Sequence, residues 1–173
     1  MPRIIIAIDP GTEDGAYIVW DCTTNAVLDK AILTNDKLLE FIVQQQFTKE
    51  IFCEMIASYG MSVGKEIFET CVWIGRAFQV CVDKGFQFTR IYRLAVKTHH
   101  CHSTKAKDAN IRQALIDKYG PVGTKKAPGP LYGIASHMWS ALAIATFAGD
   151  TTAHNTVVDE AVEMSTKNTG SLK

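Results

Sequence analysis

The feature that most constrains this chain is its first apolar run. Ile4-Ile5-Ile6-Ala7-Ile8 is almost uninterrupted and then stops abruptly at Asp9-Pro10-Gly11. A short apolar run closed by Pro-Gly reads as a buried strand, here Arg3 to Asp9, rather than as one face of a helix. Its last residue is a carboxylate. A second run ends the same way, Glu50-Ile51-Phe52-Cys53-Glu54, and predicts a strand over Lys49–Glu54. In an open α/β sheet the carboxyl ends of the strands line the crevice where ligands bind. A carboxylate placed there loses hydration, and a divalent cation offsets that cost well. Asp9 and Glu54 are therefore the first candidate metal ligands.

The segments between and after these runs supply the rest of a sheet. Gly15–Asp21 and Ala26–Leu33 read as strands joined by the turn residues Asp21 to Asn25, so the chain opens with a meander of three strands. Asn35 or Asp36 can cap a helix carrying Leu38, Leu39, Phe41 and Ile42 at helical spacing. A longer helix is expected from about Ser62 to Lys84, with Val63, Ile67, Cys71, Ile74, Phe78 and Cys81/Val82 as one apolar stripe, stopped by Gly85. Phe88–Tyr92 is a fifth strand. Thr104 or Asp108 opens a helix ending at Tyr119-Gly120, and Pro121–Pro130 is a loop. Ser136 is expected to cap a last helix that Gly149-Asp150 stops. The expected order is β-β-β-α-β-α-β-α-α, a mixed five-stranded sheet flanked by helices, α/β in class. Residues 1–150 form the expected domain, and 151–173, polar in composition, are expected to be a mobile tail.

Composition removes several alternatives. The chain has 173 residues, 47% of them hydrophobic, enough for one core and unlike a disordered chain. No apolar run approaches the roughly 18–20 residues of a membrane span, and no signal-peptide pattern opens the sequence, so an intracellular protein is expected. The five cysteines fall without paired spacing, which argues against a disulfide framework. His99-His100-Cys101-His102 lacks a second ligand group at zinc-like spacing. Net charge is zero, yet Lys and Arg crowd the stretch from Lys84 to Lys126, where only Asp108 and Asp117 oppose them. A basic face on a neutral protein suits a phosphate backbone.

The turn Asp9-Pro-Gly-Thr-Glu-Asp-Gly15 belongs to a pattern shared by actin-like ATPases, sugar kinases and RuvC-like nucleases. At 173 residues the chain is too short for the two domains an actin-like ATPase closes around its nucleotide. Further pieces narrow the choice. Phe52-Cys-Glu-Met-Ile-Ala57 leads to a helix containing Gly75-Arg76, Tyr92-Arg-Leu-Ala-Val-Lys97 precedes Lys105-Ala-Lys107, and Ser136-His-Met-Trp-Ser-Ala-Leu-Ala143 comes last. With these, the chain from Ile4 to about Gly149 resembles the RuvC-type Holliday junction resolvases of the ribonuclease H-like superfamily.

The resemblance implies a metal-dependent endonuclease that cleaves four-way DNA junctions. Asp9 would bridge two Mg²⁺ ions roughly 3.5–4 Å apart, with Mn²⁺ as an alternative. Glu54 and His137 would complete the ligand set, leaving a 5′-phosphate and a 3′-hydroxyl. A homodimer would present two such sites. Lys97, Lys105 and Lys107 fall where the family faces DNA, with Lys107 nearest the scissile phosphate. Arg76 and Tyr59 are further DNA-contact candidates, with Tyr59 or Met61 the one to meet unstacked bases. The last helix departs from the family, which carries two acids three residues apart where this chain has His137 and Ser140. Asp108, Glu13 or Asp14 is then the candidate to complete the site. Two rival readings follow: a DNA-binding structural protein whose nuclease site has decayed, and a related nuclease acting on RNA–DNA hybrids.

Overall fold

The computed structural model describes residues 1–151, so most of the expected tail, from residue 152 on, lies outside the described residues. Ile4–Asp9 forms β1, Asp14–Asp21 β2 and Ala26–Thr34 β3, each antiparallel to the one before. Asn35–Gln44 forms α1, Glu50–Met55 β4, Lys65–Lys84 α2 and Gln87–Tyr92 β5. β4 lies parallel to β1 and β5 parallel to β4, giving the order β3-β2-β1-β4-β5. The expected meander and mixed sheet are both present.

Strand parity sorts the side chains into two cores. Ile6 and Ile8 of β1 join Tyr17, Val19, Ile51 and Cys53 beneath α1 and α2, where Leu38, Ile42, Trp73 and Ile74 close the layer. Ile5 and Ala7 join Ala16, Ile18, Trp20, Phe52 and Ile91 on the opposite face. Both faces of β1 are thus covered, which is why its sequence does not alternate. The second face is covered chiefly by α5, Met138–Thr151, whose residues Ala141 to Ala148 are all buried. Its alanines let the helix lie close to the sheet, and at Gly149 a Cβ would already stand 3.3 Å from Trp20 Nε1.

Three expectations are corrected. An additional helix, α3 (Arg93–Cys101), follows β5 without a loop and precedes α4 (Asp108–Tyr119). Only Val96 of α3 is fully buried, so its apolar signal is too thin to stand out from a loop. The stripe on α2 is rotated from the expected one. The buried positions are Thr70, Trp73, Ile74, Ala77 and Cys81, while Phe78 and Val82 face outward. The helix also begins at Lys65 rather than near Ser62 and ends as expected at Gly85, which takes φ +68° and caps Cys81 and Val82. Finally, Ser136 precedes α5 with φ 47°, in a tight turn in which Trp139 N–H reaches its carbonyl, and the helix continues past Gly149 to Thr151.

Among the described residues no helix is long and apolar enough to cross a membrane.

Candidate active site

Asp9 ends β1 and Glu54 lies one residue from the end of β4. The parallel ladder pairs Ile8 with Cys53, so the next residues of both strands emerge side by side. Asp9 shares the parity of Ile5 and Ala7, and Glu54 that of Phe52, so both carboxylates turn toward the α5 face. The Pro10–Glu13 turn holds β1 in place. A Cβ on Gly11 would meet the Asp14 carbonyl oxygen at 2.3 Å, so a larger residue cannot occupy this turn unchanged. Asn35 ties the turn to α1, donating from its side chain to the Gly11 and Thr12 carbonyls at 3.2 and 2.9 Å.

The two carboxyl groups sit in an open cleft of about 330 Å³ lined also by Pro10, Ile56, Arg93, Asp108, His137 and Ser140. Each acidic side chain is only 11% exposed. Burial pushes Asp9 up to about 6, against the opposing pull of a hydrogen bond with Glu54, the Arg93 charge and a hydrogen bond with Ser140. Burial pushes Glu54 up to about 7, helped by the charge of Asp9 and opposed by Arg93. Two neighbouring buried carboxylates cannot both ionise cheaply without a cation beside them.

Each expected site residue has a definite place. His137 Nδ1 lies 3.1 Å from Asp9 Oδ2. Asp108, the first residue of α4, lines the same cleft, but its carboxylate accepts a hydrogen bond from Arg93 Nη2. Lys107 precedes it as the N-cap and is exposed, and Lys105 is exposed two residues earlier. Lys97 is half-buried on α3. Glu13, on the turn, and Asp14, the first residue of β2, are exposed and do not line the cleft. Tyr59 is exposed in the segment after β4, with φ 46°. Arg76 stands apart from the acids, on α2 across the sheet, paired with Asp36 at 3.4 Å.

Sequence reasoning missed Arg93. Its Nη1 donates to both Glu54 oxygens, at 3.2 and 3.4 Å, while Nη2 holds Asp108. The available signal was positional: Arg93 directly follows β5, at the same sheet end as Asp9 and Glu54. Beside it lies a second hollow containing Trp139, with the Arg112 guanidinium 4.7 Å from the ring centroid.

No family model and no curated protein matches this chain. Solved structures do. A Thermus thermophilus RuvC structure superposes with a TM-score of 0.63 at 14% identity, covering 87% of this chain and 97% of that one. A structure of T. thermophilus RuvC in complex with a Holliday junction substrate gives 0.61 at 17% identity, covering 83% and 91%. The chain has the RuvC fold. On this RuvC-like frame the end of β1, the end of β4 and the start of α5 converge on one cleft, and the chain fills those three positions with Asp9, Glu54 and His137.

Proposed function

We propose that this protein is a divalent-metal-dependent endonuclease that cleaves branched DNA of the four-way junction type. The observation that carries the reading is the Asp9–Glu54 pair: two buried acids, both pushed toward neutrality, at the ends of adjacent parallel strands. Among the described residues no three His, Cys, Asp or Glu side chains form a ready metal cage. That donor set still fits Mg²⁺, which commonly takes one or two carboxylates and completes its shell with water and substrate phosphate. Mn²⁺ is the alternative.

A divalent cation supplies Lewis-acid activation of the attacking water and charge for the phosphodiester. Asp9 and Glu54 would hold it. In the tautomer with the proton on Nδ1, His137 donates to Asp9 and keeps its Nε2 lone pair free. Lys107, exposed and next in the chain to Asp108, approaches the scissile phosphate and offsets charge as it builds there. Lys97 and Lys105 contact the backbone further out, and Tyr59 meets bases unstacked at the branch. The products expected are a 5′-phosphate and a 3′-hydroxyl. Symmetric cutting of a four-way junction calls for a C2 homodimer, and α2 offers a surface for it: Phe68, Val72, Phe78 and Val82 are 46–61% exposed.

Ser140, neutral where the family carries an acid, favours one rival: junction binding without cleavage. The deciding experiment incubates the full chain with a labelled four-way junction, a linear duplex and an RNA–DNA hybrid. Mg²⁺, Mn²⁺ and EDTA are compared, with Asp9→Asn alongside. Paired nicks confined to the junction, lost in EDTA and in the variant, are expected. Tight junction binding with no nick in either metal establishes the binding protein instead, and cutting of the hybrid alone establishes the other nuclease.

A further inference from the structure

We infer that the cleft is built for a single divalent cation, with Arg93 standing as a fixed positive charge where a second would sit. The inference rests on the metal-dependent reading above and concerns how many ions the site takes. The guanidinium lies between Glu54 and Asp108 and donates to both. Besides Asp9, those are the carboxylates of the cleft that a second ion would have to draw on. Arg93 is not a loose surface side chain that happens to reach in. It is the first residue of α3, and the ladder pairing Glu54 with Ile91 and Met55 with Tyr92 fixes its backbone one step beyond. Its side chain is 32% exposed.

Charge agrees with geometry. Asp9, Glu54 and Asp108, fully ionised, and one guanidinium leave the cleft with a net charge of minus two. One divalent cation neutralises that, and a second would leave excess positive charge in a partly buried site. Arginine cannot relieve the excess by losing its proton. Ser140, where the resemblance leads one to expect an acid, removes the further carboxylate that a second ion would need. The guanidinium has five N–H donors, and its contacts to Glu54 and Asp108 do not exhaust them, so it can also meet a phosphate oxygen. A side-chain cation then serves on one flank of the phosphodiester and the metal on the other.

The test counts ions without requiring cleavage. Mn²⁺ alone is titrated into the full chain, with bound metal read by calorimetry and by electron paramagnetic resonance, which registers coupling between two neighbouring ions. The wild-type protein should bind one Mn²⁺ per chain with no coupling signal, and so should Arg93→Lys, which keeps the charge. Arg93→Gln should bind two, with coupling. Two ions in the wild type, or one in a folded Arg93→Gln, overturns the inference and leaves metal dependence standing. No binding in any of them overturns both. Should Arg93→Gln fail to fold, the wild-type count decides alone.

Discussion

His137 Nδ1 and Asp9 Oδ2 stand 3.1 Å apart although 128 residues separate them in the chain. The contact fastens the turn before α5 to the end of β1, so a mostly exposed imidazole reaches a carboxylate that is only 11% exposed. Replacing it leaves Asp9 without its orienting partner. His137→Ala should weaken Mn²⁺ binding and slow junction cleavage by about 10–100-fold, the usual cost of losing a partner of a metal-ligating group. Stopped-time cleavage assays over a Mn²⁺ series check this. A variant with wild-type rates and wild-type Mn²⁺ affinity would remove His137 from the site.

With no cation bound, the raised acids cost stability as pH rises. Burial lifts Asp9 to about 6 and Glu54 to about 7, both above their unfolded values. For acids shifted upward, the associated stability is fully present below the unfolded values and is lost as pH rises through the folded ones. In EDTA each acid should therefore cost roughly 3 kcal/mol, and the pair about 6 kcal/mol, between about pH 4 and about pH 8. His100, half-buried and held below its ordinary value by desolvation, works in the opposite sense, so the difference between proteins is the cleaner readout. Asp9→Asn should be more stable than wild type in EDTA at about pH 8 and nearly equal at about pH 4, by urea unfolding. Mg²⁺ should narrow the gap at high pH. An Asp9→Asn protein that is less stable at about pH 8 would contradict the burial argument.

How much of this could be read from the sequence follows from what each residue does. Asp9 and Glu54 were legible because a carboxylate interrupts an apolar run at a strand's end, and a strand's end is a fixed place in the fold. The meander was legible because its turn residues stand between short β-rich runs. Arg93 was not, because arginine in a basic segment looks the same whether it faces water or a carboxylate. The α3 helix hid for a related reason: it buries little, so its apolar spacing is weak. On α2 the difficulty was excess rather than lack. Phe68, Val72, Trp73, Ile74, Phe78 and Val82 place apolar groups around much of the helix, and spacing alone cannot say which arc meets the sheet.

Ser140 offers a gain-of-function test. Ser140 lines the same cleft as Asp9 and stands three residues after His137, in the first turn of α5. Ser140→Asp adds a carboxylate on the same helical face. Mg²⁺ affinity should rise about 10-fold, since each added ligand charge tightens a hard-cation site. The same charge beside two buried acids should lower metal-free stability by about 1–2 kcal/mol. Parallel Mg²⁺ titration and urea unfolding in EDTA check both signs. Weaker Mg²⁺ binding would mean that position 140 does not face the ion.

The outer face of α2 carries the last prediction. Phe68, Val72 and Val82 lie along one stripe with Gly75, and Phe78 flanks it. These four apolar side chains are well exposed, Val72 at 61%. Nothing lies within 4 Å of a Cβ built on Gly75, so the stripe has a shallow point where another helix can come close. In a C2 dimer one substitution is felt twice, because the same residue sits on both sides of the axis. Val72→Glu would bury two like charges without partners, and the dimer Kd should rise at least about 100-fold. Stability of the single chain should change by less than about 0.5 kcal/mol, because the residue already faces water there. Sedimentation velocity across a concentration series separates the outcomes. A wild-type dimer that Val72→Glu converts to monomers, with junction cutting reduced from paired nicks to single ones, is expected. A dimer that survives the substitution would move the interface off α2, and a wild-type monomer would leave paired cutting without a structural basis.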